Sequence, residues 1–168
     1  MRNPWLPVLA LAAFTSACAS VETPQPVVKA AVAAPAAPAP VAGYDWHYTP
    51  DEGAARLAYG VEASDDLRLG LDCMAGSGKV DLTALGHTGD REIHLESGGD
   101  TERFPAEGEP SELHDGDILT AKAATSEPVL QRFRRLGWIA QWVDGEREVY
   151  TPHPGSEAGV ERFFALCG

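Results

Sequence analysis

The chain has 168 residues and a formal net charge of −12, a length that allows one domain with appendages. Residues 1–43 contain only Arg2, Lys29 and Glu22 among their charged side chains, so residues 44–168 carry −13, from 11 basic and 24 acidic groups. Nucleic-acid affinity comes mainly from neutralising phosphates, so this acidity excludes a nucleic-acid partner and argues equally against anionic lipid; it also keeps a domain soluble and monomeric.

The N-terminus reads as an export signal. Met1-Arg2-Asn3 supplies a basic start, Trp5 to Phe14 is apolar apart from Pro7, and small residues from Thr15 to Ser20 follow. A basic start, roughly 7–15 apolar residues and a small-residue cleavage site define a secretory signal peptide, and the stretch is shorter than the about 20 apolar residues of a membrane span. Two processing routes are open for residues 1–19. Ala17-Cys18-Ala19 satisfies the small-x-small rule, and cleavage after Ala19 leaves a soluble periplasmic protein. Ala17-Cys18 also resembles a bacterial lipobox, with Thr15 where that pattern has Leu, Val or Ile; lipidation of Cys18 ties the mature chain to a membrane.

Residues 20–43 are Pro/Ala-rich, with prolines at 24, 26, 35, 38 and 40. Each proline removes a backbone donor and biases its predecessor away from helix. A flexible linker of this kind extends by about 3.1 Å per residue, which holds a domain on the order of 60 Å from its anchor.

The globular domain is expected over 44–168, beginning where Tyr44, Trp46 and Tyr48 arrive together. From there the dominant apolar period is two, the mark of half-buried strands. Strands are expected at 55–61, 67–73, 79–85, 92–96, 101–104, 118–123, 138–143 and 147–151. The clearest is 67–73, where Leu67, Leu69, Leu71 and Cys73 share one face. Gly86 to Asp90 and Ser97 to Asp100 read as tight turns, and residues 105–116, rich in Pro, Gly and acid, as a loop. Two helices interrupt the strands. One is expected to be capped by Ser126 and stopped by Gly137, with Arg132, Arg134 and Arg135 toward its C-terminal end. The other is expected to be capped by Ser156 and to run to Leu166, with Val160, Phe163, Phe164 and Cys167 in a single apolar stripe. The fold class is therefore mainly β: an antiparallel sandwich or curved sheet of about eight short strands with a C-terminal helix packed on it.

Three cysteines in an exported chain leave one over. With Cys18 lipidated, Cys73 and Cys167 remain, each on the apolar face of its own element, and a bridge between them would pin the last helix to the 67–73 strand.

No motif in the domain specifies a reaction, a cofactor or a metal. Gly76-Ser77-Gly78-Lys79 is not a phosphate loop, because Cys73 stands at its first glycine position and Val80 replaces the required Ser or Thr. Ser77 lacks the flanking glycines of a nucleophile elbow. His94-Leu95-Glu96 has the H-x-E of zinc deaminases without P-C-x-x-C, and Glu92, His94 and Glu96 are expected on a solvated strand face. His114-Asp115-Gly116-Asp117 is acidic but lacks a full Ca²⁺ loop. Trp138 and Trp142 share a strand face, and with Trp46 they form the candidate binding aromatics.

Trp46-His47-Tyr48, Leu57-Ala58-Tyr59-Gly60, Ser64-Asp65-Asp66, Leu69-Gly70-Leu71-Asp72-Cys73 with Gly76-Ser77-Gly78, and Phe163-Phe164-Ala165-Leu166-Cys167 together resemble a group of uncharacterised periplasmic proteins and lipoproteins of alphaproteobacteria. That resemblance implies export and a compact domain with a cysteine pair; it implies no activity. The resulting expectation is a non-catalytic envelope lipoprotein or periplasmic binding module, attached to the membrane through its N-terminal lipid and facing an envelope protein or glycan. An acidic inhibitor or adaptor of a basic protein is the second expectation. A divergent hydrolase using His87 or His114 with nearby acids is the third.

Overall fold

The computed structural model describes residues 37–168; the expected signal, Cys18 and most of the linker lie outside the described residues. Nine strands and two helices follow in order: β1 (Asp45–Asp51), β2 (Ala54–Gly60), β3 (Leu67–Met74), β4 (Lys79–Gly86), β5 (Glu92–Ser97), β6 (Asp100–Pro110), β7 (Asp117–Ala124), α1 (Pro128–Leu136), β8 (Ile139–Val143), β9 (Glu146–Tyr150) and α2 (Glu157–Cys167). The strands form one antiparallel sheet in the order β1-β2-β3-β4-β7-β6-β5-β8-β9, curved until it nearly closes into a barrel. Of the two expected architectures, the curved sheet is the observed one.

Alternation builds the interior. Leu57 and Tyr59, Leu69 and Leu71, Val80 and Leu82, and Ile93 and Leu95 point inward from successive strands and are buried. Both helices follow strands that end at the same rim of the barrel, and their apolar faces close that end. Phe133 of α1 packs on Trp46 at 4.9 Å and edge-on to Phe164 of α2 at 6.0 Å between ring centroids. Val160, Phe163, Phe164 and Cys167 are all buried, as their stripe requires. Cys73 and Cys167 are disulfide-bonded across a sequence separation of 94. The amides of Gly76 and Gly78 donate to the Leu166 and Cys167 carbonyls, each at 2.8 Å. The glycine turn therefore caps the C-terminus of α2, where four carbonyls lack helical partners.

Several local expectations are corrected. Asp45–Asp51 is a ninth strand; it lacks clean alternation and carries Pro50, which is tolerated because β1 is an edge strand paired only with β2. The loop expected over 105–116 is largely strand, since β6 runs on to Pro110. Its residues 100–105 pair with β5 and residues 106–110 pair with β7. Pro105 sits at the changeover between the two ladders, so its local signal for a break marks a change of partner instead. Ser126 does not cap α1: the N-cap is Glu127, without a side-chain bond. Glu102 of β6 accepts from the Val129 amide at 3.1 Å and replaces the local cap with a tertiary one. Gly137 does end α1, in the left-handed conformation.

At the rim opposite the helices, Gly116 has φ +112°, and a Cβ there would meet the Gly86 carbonyl oxygen at 2.2 Å. Gly116→Ala is expected to cost roughly 1–3 kcal/mol through backbone strain alone. A urea midpoint equal to that of the parent would show that the 111–116 turn moves away freely.

Candidate functional site

The tryptophans singled out above do not form a common surface. Trp46 faces the barrel interior and is 3% exposed, and Trp138, on the outer side, is 5% exposed. Trp142 alone keeps partial exposure. Its indole Nε1 donates to Glu96 at 2.8 Å, and Arg147 donates to the same carboxylate through two nitrogens, both at 2.8 Å. The Arg147 guanidinium in turn lies 5.3 Å from the Trp138 ring centroid. Glu96 is therefore buried, which corrects the expectation of a solvated Glu92-His94-Glu96 face: period two assigns Glu96 outward, and the side chains of β8 and β9 cover it there. Arg147's hydrogen bonds, then Trp142's, hold the Glu96 carboxyl below the usual range against the opposing effect of burial. His94 stacks on Trp142 at 6.2 Å; burial first, and then the charge of Arg103, lower its pKa.

The open rim carries a different set of residues. Val41, Tyr44, Tyr59 of β2, Arg68 of β3, and Glu148, Val149 and Tyr150 of β9 enclose a cleft of about 250 Å³. It lies where the two edge strands of the sheet come together. Beside it the seam is tied by Trp46 Nε1 donating to the Tyr150 carbonyl at 3.4 Å. The Asp45 carboxylate adds to this by accepting from the His153 amide at 3.0 Å and the Ser156 hydroxyl at 2.6 Å.

One wall is a closed triad. Arg68 donates to the Tyr44 hydroxyl at 2.9 Å and its Nε stands 3.1 Å from Asp66, while Tyr44 donates to Asp66. The bond to Tyr44 is the main cause of an Arg68 pKa above the ordinary value. The opposite wall is Tyr150, whose phenol is pushed well above its usual range by burial and then by the charge of Glu148. It stays protonated, and its hydroxyl lies 3.1 Å from Gln141 Oε1 and 3.2 Å from Glu148 Oε2. A single phenolic hydrogen serves one of them at a time. Gln141 is held in place by donating to the Leu85 carbonyl at 2.7 Å.

Tyr59 packs against Tyr150 with tilted rings, 4.8 Å between centroids, and is 1% exposed. Its hydroxyl is buried without a hydrogen-bond partner. The backbones of Thr151 and Val41 are near enough to influence its ionisation, but burial dominates and raises its pKa. A buried polar group left unpaired costs about 1–3 kcal/mol, so this hydroxyl is a conspicuous feature of the cleft.

A second recess of about 410 Å³ adjoins the first and shares Arg68, Glu148 and Tyr150 with it; its rim carries His87, His114, Asp115, Asp144 and Glu146. His87 Nε2 is 3.4 Å from Asp144, both side chains being exposed. His114 Nδ1 lies 2.8 Å from the Ser111 hydroxyl. That hydroxyl also accepts from the amides of Leu113 and His114, so Ser111 organises the turn. His114 Nε2 is buried with no partner. The pair has the hydroxyl–imidazole contact of a serine–base pair but lacks the acid that would orient the ring through Nε2. Asp117, read in the sequence with the acidic turn, is buried and accepts from the Gly89 amide at 3.0 Å.

Sequence reasoning passed over Arg68, Glu148 and Tyr150. The signal for them was a polar residue, Gln141, at an inward position between Ile139 and Val143, with Glu148 opposite it in the register of the β8–β9 hairpin. Among the described residues no group of three or more His, Cys, Asp or Glu is placed to hold a metal, and no helix is long and apolar enough to cross a membrane. No family model, curated protein or solved structure matches the chain.

Proposed function

We propose that the chain is a non-catalytic, lipid-anchored binding module of the bacterial cell envelope, presenting the open rim of its barrel to a ligand. The observation that carries this reading is the asymmetry of the two ends. One is filled by α1 and α2 and cross-linked by Cys73–Cys167; the other holds an aromatic cleft with a buried, unused hydroxyl. Concave sites with apolar walls and a few convergent polar groups are the usual form of ligand sites. The disulfide belongs to an oxidising compartment, which agrees with the signal-like N-terminus and with the resemblance to envelope proteins.

The acidic rim supports a second reading, an inhibitor or adaptor of a basic protein. Retention of cationic proteins that fades steeply with salt would mark that reading, and no retention at low salt would dismiss it. Anchoring itself is tested by mass spectrometry of the exported protein. The expected N-terminus is an acylated Cys18, with Cys18→Ser moving the protein from the membrane to the soluble fraction. An unmodified N-terminus at Ser20 would overturn the lipid anchor.

A further inference from the structure

We infer that the seam cleft is a site for a primary alkylammonium group, with Glu148 as its counter-ion and the Tyr59 hydroxyl as a second acceptor. This deepens the binding-module reading and rests on it. Charge compensation identifies the ligand class. The one cation in the cleft, Arg68, is already engaged: Asp66 and Tyr44 share its donors, and it covers the Tyr44 ring at 5.3 Å. Among the described residues Glu148 makes no direct ion pair and feels Arg68 only at longer range, and the hydrogen bond it accepts comes from a Tyr150 hydroxyl that Gln141 also claims. An anion entering the cleft would meet a neutralised guanidinium and an opposing carboxylate. A neutral ligand would strip water from Glu148 without replacing it.

An alkylammonium meets neither difficulty. Its N–H groups are donors only, and the cleft offers acceptors at Glu148 and at the Tyr59 oxygen, which among the described residues has only the distant Thr151 and Val41 backbones beside it. Its apolar stem would lie along Tyr59 and Tyr150, whose ring faces also attract a cation. A volume of about 250 Å³ suits a side chain or a short diamine. The adjoining rim, with Asp144 and Glu146, and a domain charge of −13 draw cations toward this opening over longer range. The same chemistry could arrive as a free diamine or as a lysine side chain of a protein.

The test is an NMR titration of the full chain, following the tyrosine ring resonances, with cadaverine, Nα-acetyl-lysine amide, succinate and 1-pentanol as probes at one fixed ionic strength. The two amines are expected to shift Tyr59 and Tyr150. Glu148→Gln should weaken both amines roughly ten- to a hundredfold, and Tyr59→Phe about two- to tenfold, with the thermal midpoint of each variant at or above the parent's. Tighter binding of the acetylated lysine identifies a protein-borne ligand, and tighter binding of cadaverine a free one; both support the assignment. Amine shifts that survive Glu148→Gln, or that fall outside the cleft, overturn it. Succinate or pentanol shifting the same rings while the amines do not also overturns it, yet leaves the cleft as a binding site. Silence of all four probes removes the cleft from the proposed function as well.

Discussion

Reduction of the Cys73–Cys167 disulfide will lower the stability of the domain by about 4–5 kcal/mol. The bridge closes a loop across a sequence separation of 94, and in the chain-entropy model a loop of that size is worth about 4–5 kcal/mol through restriction of the unfolded chain. Domains of this kind hold only about 5–15 kcal/mol in total, so the loss is roughly a third of the stability or more. The native state adds a second reason. Cys167 ends the helix whose Phe163 and Phe164 fill the closed end of the barrel, and the Gly76 and Gly78 amides engage the last carbonyls of that helix. Urea unfolding of the parent with and without reductant, and of Cys73→Ala/Cys167→Ala, measures the effect. Coincident midpoints would show that burial of α2 suffices without the cross-link.

Arg147→Met is expected to destabilise the protein by roughly 3 kcal/mol, the lower end of the range for removing one partner of a buried ion pair. Arg147's side chain is 31% exposed and Glu96's 10%, so solvent moderates the loss. The variant leaves a buried carboxylate whose remaining donor is the Trp142 indole. Glu96→Gln should cost less, because the amide oxygen still accepts from Trp142. The pH dependence follows from the sign of the shift. Glu96's pKa is depressed in the folded state from a reference of 4.5. Its contribution is therefore complete above about pH 4.5 and is lost as pH falls through the lower folded value. Arg147→Met removes the main cause of that depression, so the gap between parent and variant, wide at pH 7, should narrow at pH 3. An equal gap at both pH values would mean that Arg147 acts by packing over Trp138 rather than by its charge.

Glu96 and Glu148 show how differently two carboxylates, on the strands flanking β8, are used. Glu96, on the outer face, spends its acceptors on an arginine and an indole, and the result is a braced surface between β5, β8 and β9. Glu148, on the inner face at the open rim, is left with a shared phenol and is the group available to a ligand. The same distinction separates Arg147 from Arg68: each is paired, but only Arg68 stands in a cleft.

Much of the architecture was legible from residue order. Alternation at 67–73 and 92–96 predicted which side chains face the core, because successive side chains in a strand point to opposite sides. The stripe Val160, Phe163, Phe164, Cys167 predicted the buried face of α2, and the apolar positions of Cys73 and Cys167 predicted their meeting. Gly137 marked the end of α1, since its left-handed conformation favours a residue without a Cβ. What covers an outward face was not legible, so Glu96 read as solvated until β8 and β9 were laid beside it. Nor was the length of β6, where Pro105 signals a break in isolation but a change of ladder in the sheet. The cleft depends on residues from Val41 to Tyr150 that meet only when the first and last strands of a nine-stranded sheet come round to one another. Periodicity reports which side of a strand a residue occupies; curvature and closure, which belong to the whole sheet, decide which distant residues share that side at the seam.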